Sequence, residues 1–239
     1  MGAGLKAAAL WRLALIQGSW NYDRMLGLGL AHAALPLLPP TEGRTHPAAA
    51  RLGGHFNAHP YLAGLAVGAL ARMEVDGRPA EDVARLRDAL RGPLGSIGDE
   101  LFWAGVLPAA TGAGLFAAAA APTGLGAGVL LVLHNAVHLP VRRWALARGW
   151  SLGRDVARAL GARWLARARR IAMVAAPLLI GLALMPVFSW LLGGMAVGAH
   201  LGAAAVAVGT LVAHRLAPTI GGPRLGLLAA LTALLGGGL

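Results

Sequence analysis

The chain has 239 residues, of which 57% are apolar and only 13% charged, against roughly 25% charged in an ordinary soluble domain, so its surface cannot be clothed for water and lipid is the solvent to expect. Basic residues outnumber acidic ones by 21 to 10, but the arginines flank apolar runs instead of alternating with aromatics, which speaks for a membrane flank and against nucleic acid. The absence of cysteine excludes disulfides, thiolate chemistry and Cys-based metal centres.

In chain order, residues 5–35 carry a long helical pattern with polar residues inside it, closed by Pro36, Pro39 and Pro40. Lys6 and Arg12 flank apolar residues there, but the run continues into 17–21 without the small-residue pattern of a cleaved signal. A polar connector covers 41–50. Pro79-Ala80-Glu81-Asp82 opens a short amphipathic helix with Val83, Leu86 and Leu90 on one face, and Gly92-Pro93 is expected to stop it. Two apolar stretches, 101–121 and 124–140, are expected to be interrupted at Pro108, Gly112, Gly114 and the Pro122-Thr123-Gly124 turn. Nine arginines and the lone Asp155 then crowd into 142–170, which the positive-inside rule assigns to the cytoplasmic side. Three apolar runs follow, at 171–192, 193–213 and 218–239, each about the length of a membrane crossing. That arrangement puts the Gly193 turn and the C-terminus outside.

Polar residues interrupt this apolar background in clusters. Gln17, Asn21 and Arg24 are spaced i, i+4, i+7 and would share a helix face, a seam between helices or a stripe facing a sugar, with Trp20 to cover an apolar sugar face. Asp23 and Arg24 are suited to an ion pair or a subunit contact. In His55-Phe56-Asn57-Ala58-His59-Pro60, Asn57 or His59 can satisfy N–H groups ahead of a helix begun by Pro60. His55 and His59 lie four apart, but no third ligand supports a metal. Residues 92–103 read as a glycine-rich break before a helix capped by Asp99, and lack the Gly-Lys-Ser/Thr ending of a phosphate loop. His134, Asn135 and His138 suit hydrogen bonds between helices, as do the isolated His200 and His214. No nucleophile–base pair stands out, so no catalytic residue is assigned.

Three of these clusters, in this order, resemble the motifs of the IID subunit of mannose-family sugar phosphotransferase transporters. Ile16-Gln17-Gly18-Ser19-Trp20-Asn21-Tyr22-Asp23-Arg24-Met25 is similar to that family's opening signature. Phe56-Asn57-Ala58-His59-Pro60 resembles its Phe-Asn-Thr-His/Gln-Pro motif, with Ala58 for Thr, and residues 92–103 resemble its Gly-Pro-Leu-Ala-Gly-Ile-Gly-Asp…Phe-Trp motif, with Gly95-Ser96 for Ala-Gly. Leu52-Gly53-Gly54-His55 replaces an acidic-aromatic stretch, and an insert between the last helices is missing, so the sugar need not be mannose.

The resemblance implies an all-α, multi-pass protein of the bacterial inner membrane with discontinuous helices in its N-terminal half and three C-terminal transmembrane helices. It implies one IID domain over 1–239: a motif-bearing half (1–140), a basic cytoplasmic linker (141–170) and C-terminal helices (171–239). It further implies a hetero-oligomer with a IIC subunit, cytoplasmic IIA and IIB phosphocarriers, and a hexose-type sugar phosphorylated during uptake. The subunit itself would be no enzyme, hold no cofactor and carry no phospho-histidine. Gln17, Asn21, Asn57, His59 and Asp99 are the expected sugar-binding residues. The competing reading is a diverged interaction or regulatory subunit that keeps the fold without transport.

Overall fold

The computed structural model describes residues 2–41, 46–120 and 124–191. Among them every regular element is a helix, and the only β pairing is two isolated bridges. The expected runs at 193–213 and 218–239, with His200 and His214, lie outside the described residues.

The long helix expected over 5–35 is two helices, α1 (Ala3–Ala14) and α2 (Gly27–Ala34), joined by an irregular stretch. Local chemistry accounts for the interruption. Asn21 Oδ1 accepts from the Arg24 backbone N–H at 2.8 Å, its Nδ2 donates to Ser19 O at 3.1 Å, and Met25 takes a positive φ of 51°. A short polar side chain that bonds its own backbone competes with the helix ladder. The spacing of Gln17, Asn21 and Arg24 therefore does not place them on one helix face. The prolines act as expected at the other end, where α2 passes into a 3-10 turn at Leu35–Leu37.

Next come α3 (Pro47–Leu52), α4 (Ala63–Val75) and α5 (Ala80–Gly98). In α5 Val83 and Leu90 are buried as the pattern requires, and the apolar face extends to Leu94. Pro93 does not stop this helix. Gly92 has no side chain to clash with the pyrrolidine ring, and Ser96 Oγ bonds back to Pro93 O. The chain then enters a π-helical segment, Asp99–Val106, and continues as α6 (Leu107–Ala120). Asp99 consequently does not cap a new helix; it begins the π segment. Pro108 lies inside the continuous helical run Ala80–Ala119, just after the π segment, and does not end it.

A 28-residue helix follows, α7 (Leu125–Leu152), with Pro140 inside it. The basic segment expected as a linker is largely helical: the end of α7, a 3-10 turn at Gly153–Asp155, α8 (Ala157–Leu160) and the first turns of α9 (Arg163–Leu191). Its Ala, Leu and Arg residues are strong helix formers, and Asp155 takes ion pairs from Arg154 and Arg158. Among the described residues two helices are long and apolar enough to cross a membrane, Ala80–Ala119 and Leu125–Asp155. The start of the run at 171–192 is helical, in α9.

The contacts divide the chain into two units, 1–100 with 136–167, and 101–135 with 168–239. In the first, α4 is the central helix: nine of its residues from Ala63 to Ala71 are buried in sequence, and α2, α5 and the 3-10 turns pack around it. It meets α7 at glycines. A Cβ on Gly68 would press on the backbone of Leu146 and Trp150, and one on Gly149 would overlap the Leu65 carbonyl. Small residues let two helix backbones approach this closely, which is how helices associate where apolar burial gives no drive. In the second unit Gly112 lies against the backbone of Leu179 and Ile180, so it serves a helix contact where a break was expected.

Candidate substrate-facing site

The three motifs of the first unit are built into one another. The irregular stretch after α1 pairs with the second motif: Leu26 N–H donates to Phe56 O at 2.9 Å and Phe56 N–H to Arg24 O at 3.2 Å, with Met25 and Phe56 in a parallel bridge. The Phe56 ring is fully buried. The third motif packs on the second, because a Cβ on Gly98 would overlap the Cβ of His59.

His59 is 1% exposed, and its Nδ1 accepts from Tyr61 N–H at 3.2 Å in the turn ahead of α4. The helix begins at Ala63 and not at Pro60, and no side chain caps it, so His59 closes the turn ahead of the helix instead of serving its first N–H groups. Its ring meets the edge of Tyr61 with centroids 5.0 Å apart. His55 lies elsewhere: Arg91 of α5 donates to its Nδ1 at 3.1 Å. Nearby, Arg51 is bonded by Nε to Glu74 at 3.0 Å, a hydrogen bond that raises the arginine's pKa, and Arg87 donates to Arg51 O. These ties fasten α3 to the end of α4 and to α5.

The remaining expected residues differ in what they have free. Gln17, Asn57 and Asp99 are exposed. Asn21 uses both ends of its amide within its own turn, so it builds the stretch that carries Gln17. Asp23 and Arg24 come within 3.5 Å, with side chains 88% and 52% exposed. An open pair of sequence neighbours adds little stability, about 0–1 kcal/mol, and joins no two segments. Trp20 and Tyr22 form an open aromatic pair with centroids 4.8 Å apart. His138 of α7 stacks on Tyr61, and Asn135 bonds back to Leu131 O of its own helix. A polar cleft of about 190 Å³, lined by Arg72, Asp76, Arg78, Ser151, Arg154 and neighbours, shares no residue with the motifs. Two of its arginines, Arg72 and Arg154, already pair with Asp76 and Asp155.

Tyr61, Gly98 and Arg142 complete the site without having been singled out in the sequence. Tyr61 directly follows His59-Pro60 and was within reach of inspection. Arg142 was not: its Nη1 donates to Leu13 O at 2.9 Å across 129 positions.

An apolar chain whose regular elements, among the described residues, are all helices, and whose polar residues gather where the backbone is interrupted, has the construction of a membrane protein. The model of the mannose/fructose/sorbose family IID component of the phosphotransferase system matches residues 5–209. The chain belongs to that family. It is 34% identical over 162 residues to the mannose-specific EIID component of Escherichia coli K12, covering 63% of this chain and 56% of that protein. The fructose permease IID component of Bacillus subtilis is 28% identical over 152 residues (58% and 53%). The sorbose-specific EIID component of Lacticaseibacillus casei is 31% identical over 147 residues (57% and 51%). The chain thus spans little more than half the length of these relatives. The fold is also similar to a cryo-EM structure of the mannose transporter ManYZ in complex with microcin E492. The TM-score is 0.58 at 28% identity, over 77% of this chain and 70% of that one. A second solved membrane protein gives a TM-score of 0.62 at 29% identity, over 78% and 70%.

Proposed function

We propose that the protein is the IID subunit of a sugar phosphotransferase transporter in a bacterial inner membrane, and that with a IIC subunit it forms the pathway for a hexose-type sugar phosphorylated during uptake. The observation that carries this reading is the interlock of the three motifs, which brings three polar stretches from distant parts of an apolar sequence into one place. A scaffold without a solute has little reason to expose Gln17, Asn57 and Asp99 on three interlocked stretches of so apolar a chain. In this reading Gln17, Asn57 and Asp99 offer hydrogen bonds to sugar hydroxyls, while Asn21 and His59 build the backbone that presents them. Asp23 and Arg24 are open to a neighbouring subunit. Phosphoryl groups arrive on cytoplasmic IIA and IIB proteins, and the histidines of this chain take no part in carrying them.

Uptake of labelled hexoses by cells carrying this chain with and without a IIC subunit tests the reading. Uptake is expected only with both. With complex abundance checked in parallel, Asn57→Ala should cost about 1 kcal/mol, roughly fivefold in apparent KM, for a lost neutral hydrogen bond. Asp99→Ala should cost about 2 kcal/mol, roughly thirtyfold, for a charge-assisted one. An assembled complex that moves no hexose would favour the regulatory alternative.

Orientation follows from the arginines. Arg148, Arg154, Arg158, Arg163, Arg167 and Arg170 are all exposed, and we place this face in the cytoplasm. The chain has no cysteine, so Ser151→Cys gives a single exposed reporter. A membrane-impermeant maleimide should reach it only after the cells are opened; labelling in intact cells would reverse the orientation.

A further inference from the structure

Arg142 is the first arginine of the basic segment, and its side chain turns inward. Its guanidinium bonds Leu13 O, a carbonyl in the last turn of α1 that otherwise accepts only the long 3.3 Å bond from Ile16 N–H in the turn that ends the helix. The same group lies over the Tyr61 ring, 4.6 Å from its centroid. One helical turn earlier on α7, His138 stacks on that ring with centroids 4.5 Å apart and planes 23° from parallel. Tyr61 in turn donates its N–H to His59 Nδ1. A chain of direct contacts therefore runs from the end of α1, through Arg142 and Tyr61, to the residue on which Gly98 of the third motif rests. The glycine contacts of α4 with α7 fix the register that holds Arg142 there. Arg142 Nε is buried and has no acceptor among the described residues. The Tyr61 face and the Leu13 carbonyl are thus what hold the guanidinium in place.

We propose that Arg142 and Tyr61 are positioning residues for the site: they hold the stretch after α1 in register with the His59-Pro60 turn, and substrate affinity depends on them although neither binds substrate. The affinity half of this inference rests on the transport reading above; the positional half does not. Both halves can be read in the chain co-expressed with a IIC subunit. A lone cysteine introduced by Ile16→Cys, at a fully buried position, reports on the stretch after α1, while apparent KM and maximal uptake per assembled complex report on the site. A desolvated cation–π contact and a charge-assisted hydrogen bond are lost together in Arg142→Met, so maleimide labelling of the reporter should speed up by about tenfold or more. Apparent KM should rise by at least about fivefold at nearly unchanged maximal rate. Arg142→Lys, which keeps the cation but not the planar fork, should fall between. Tyr61→Leu, which removes the ring face under the guanidinium, should follow Arg142→Met. A purely structural role would lower complex abundance and leave the KM of the surviving complexes at the parent value. If Arg142→Met does not accumulate, Tyr61→Leu, which leaves the bond to Leu13 O in place, decides the matter. Parent labelling rates and parent KM in the variants that accumulate would overturn the proposal. Faster labelling in a chain whose parent moves no sugar would support the positional half and sink the transport reading instead.

Discussion

Phe56→Ala is expected to destabilise the protein by about 3–5 kcal/mol, the range for deleting a buried aromatic ring. The ring is fully enclosed, and the backbone of the same residue holds the stretch after α1 through the bonds to Arg24 O and from Leu26 N–H. A collapse that refilled the cavity would have to move that bridge, so relaxation is limited and the upper part of the range applies. Net stabilities are only about 5–15 kcal/mol, so the loss should be visible as a lower midpoint of thermal unfolding in detergent and as reduced abundance in membranes. Phe56→Leu, which restores most of the volume, should recover most of both. An Ala variant as stable as the parent would mean that the first two motifs are not held together through this residue.

Gly98→Ala is the second large effect. The new methyl would overlap the Cβ of His59, an atom fixed to its own backbone and unable to swing aside as the end of a long side chain can. Relief requires α5 and the His59-Pro60 turn to separate, and a cost near the upper end of the usual 1–3 kcal/mol for overpacking, about 3 kcal/mol, is expected. Because the shift falls at the contact of the second and third motifs, uptake per complex should drop along with stability. Gly4→Ala serves as the control: an added Cβ there meets nothing within 4 Å, and alanine favours a helix by up to about 1 kcal/mol, so it should be neutral or stabilising. Equal effects at the two positions would show that helix propensity, and not the His59 contact, governs Gly98.

The composition and hydropathy of the chain determined its class by themselves, because a sequence this poor in charge has no means of facing water. The spacing of Val83 and Leu90 likewise determined which face of α5 is buried, since a 3.6-residue period is a local property. The motif order determined the family. What periodicity could not decide was where the first helix stops, because the pattern over 5–35 is continuous. The stop depends on Asn21 closing its own turn, on Phe56 pairing with Leu26, and on Arg142 adding a bond to the Leu13 carbonyl at the end of α1. Nor could it decide that α5 passes through Pro93, since Gly92 and proline signal an end in isolation and the continuation of the helix shows only in the folded chain. Arg142 looked like one solvated arginine among nine. Its role rests on a carbonyl 129 residues away, and only the packing of α4 against α7 through small residues brings it there.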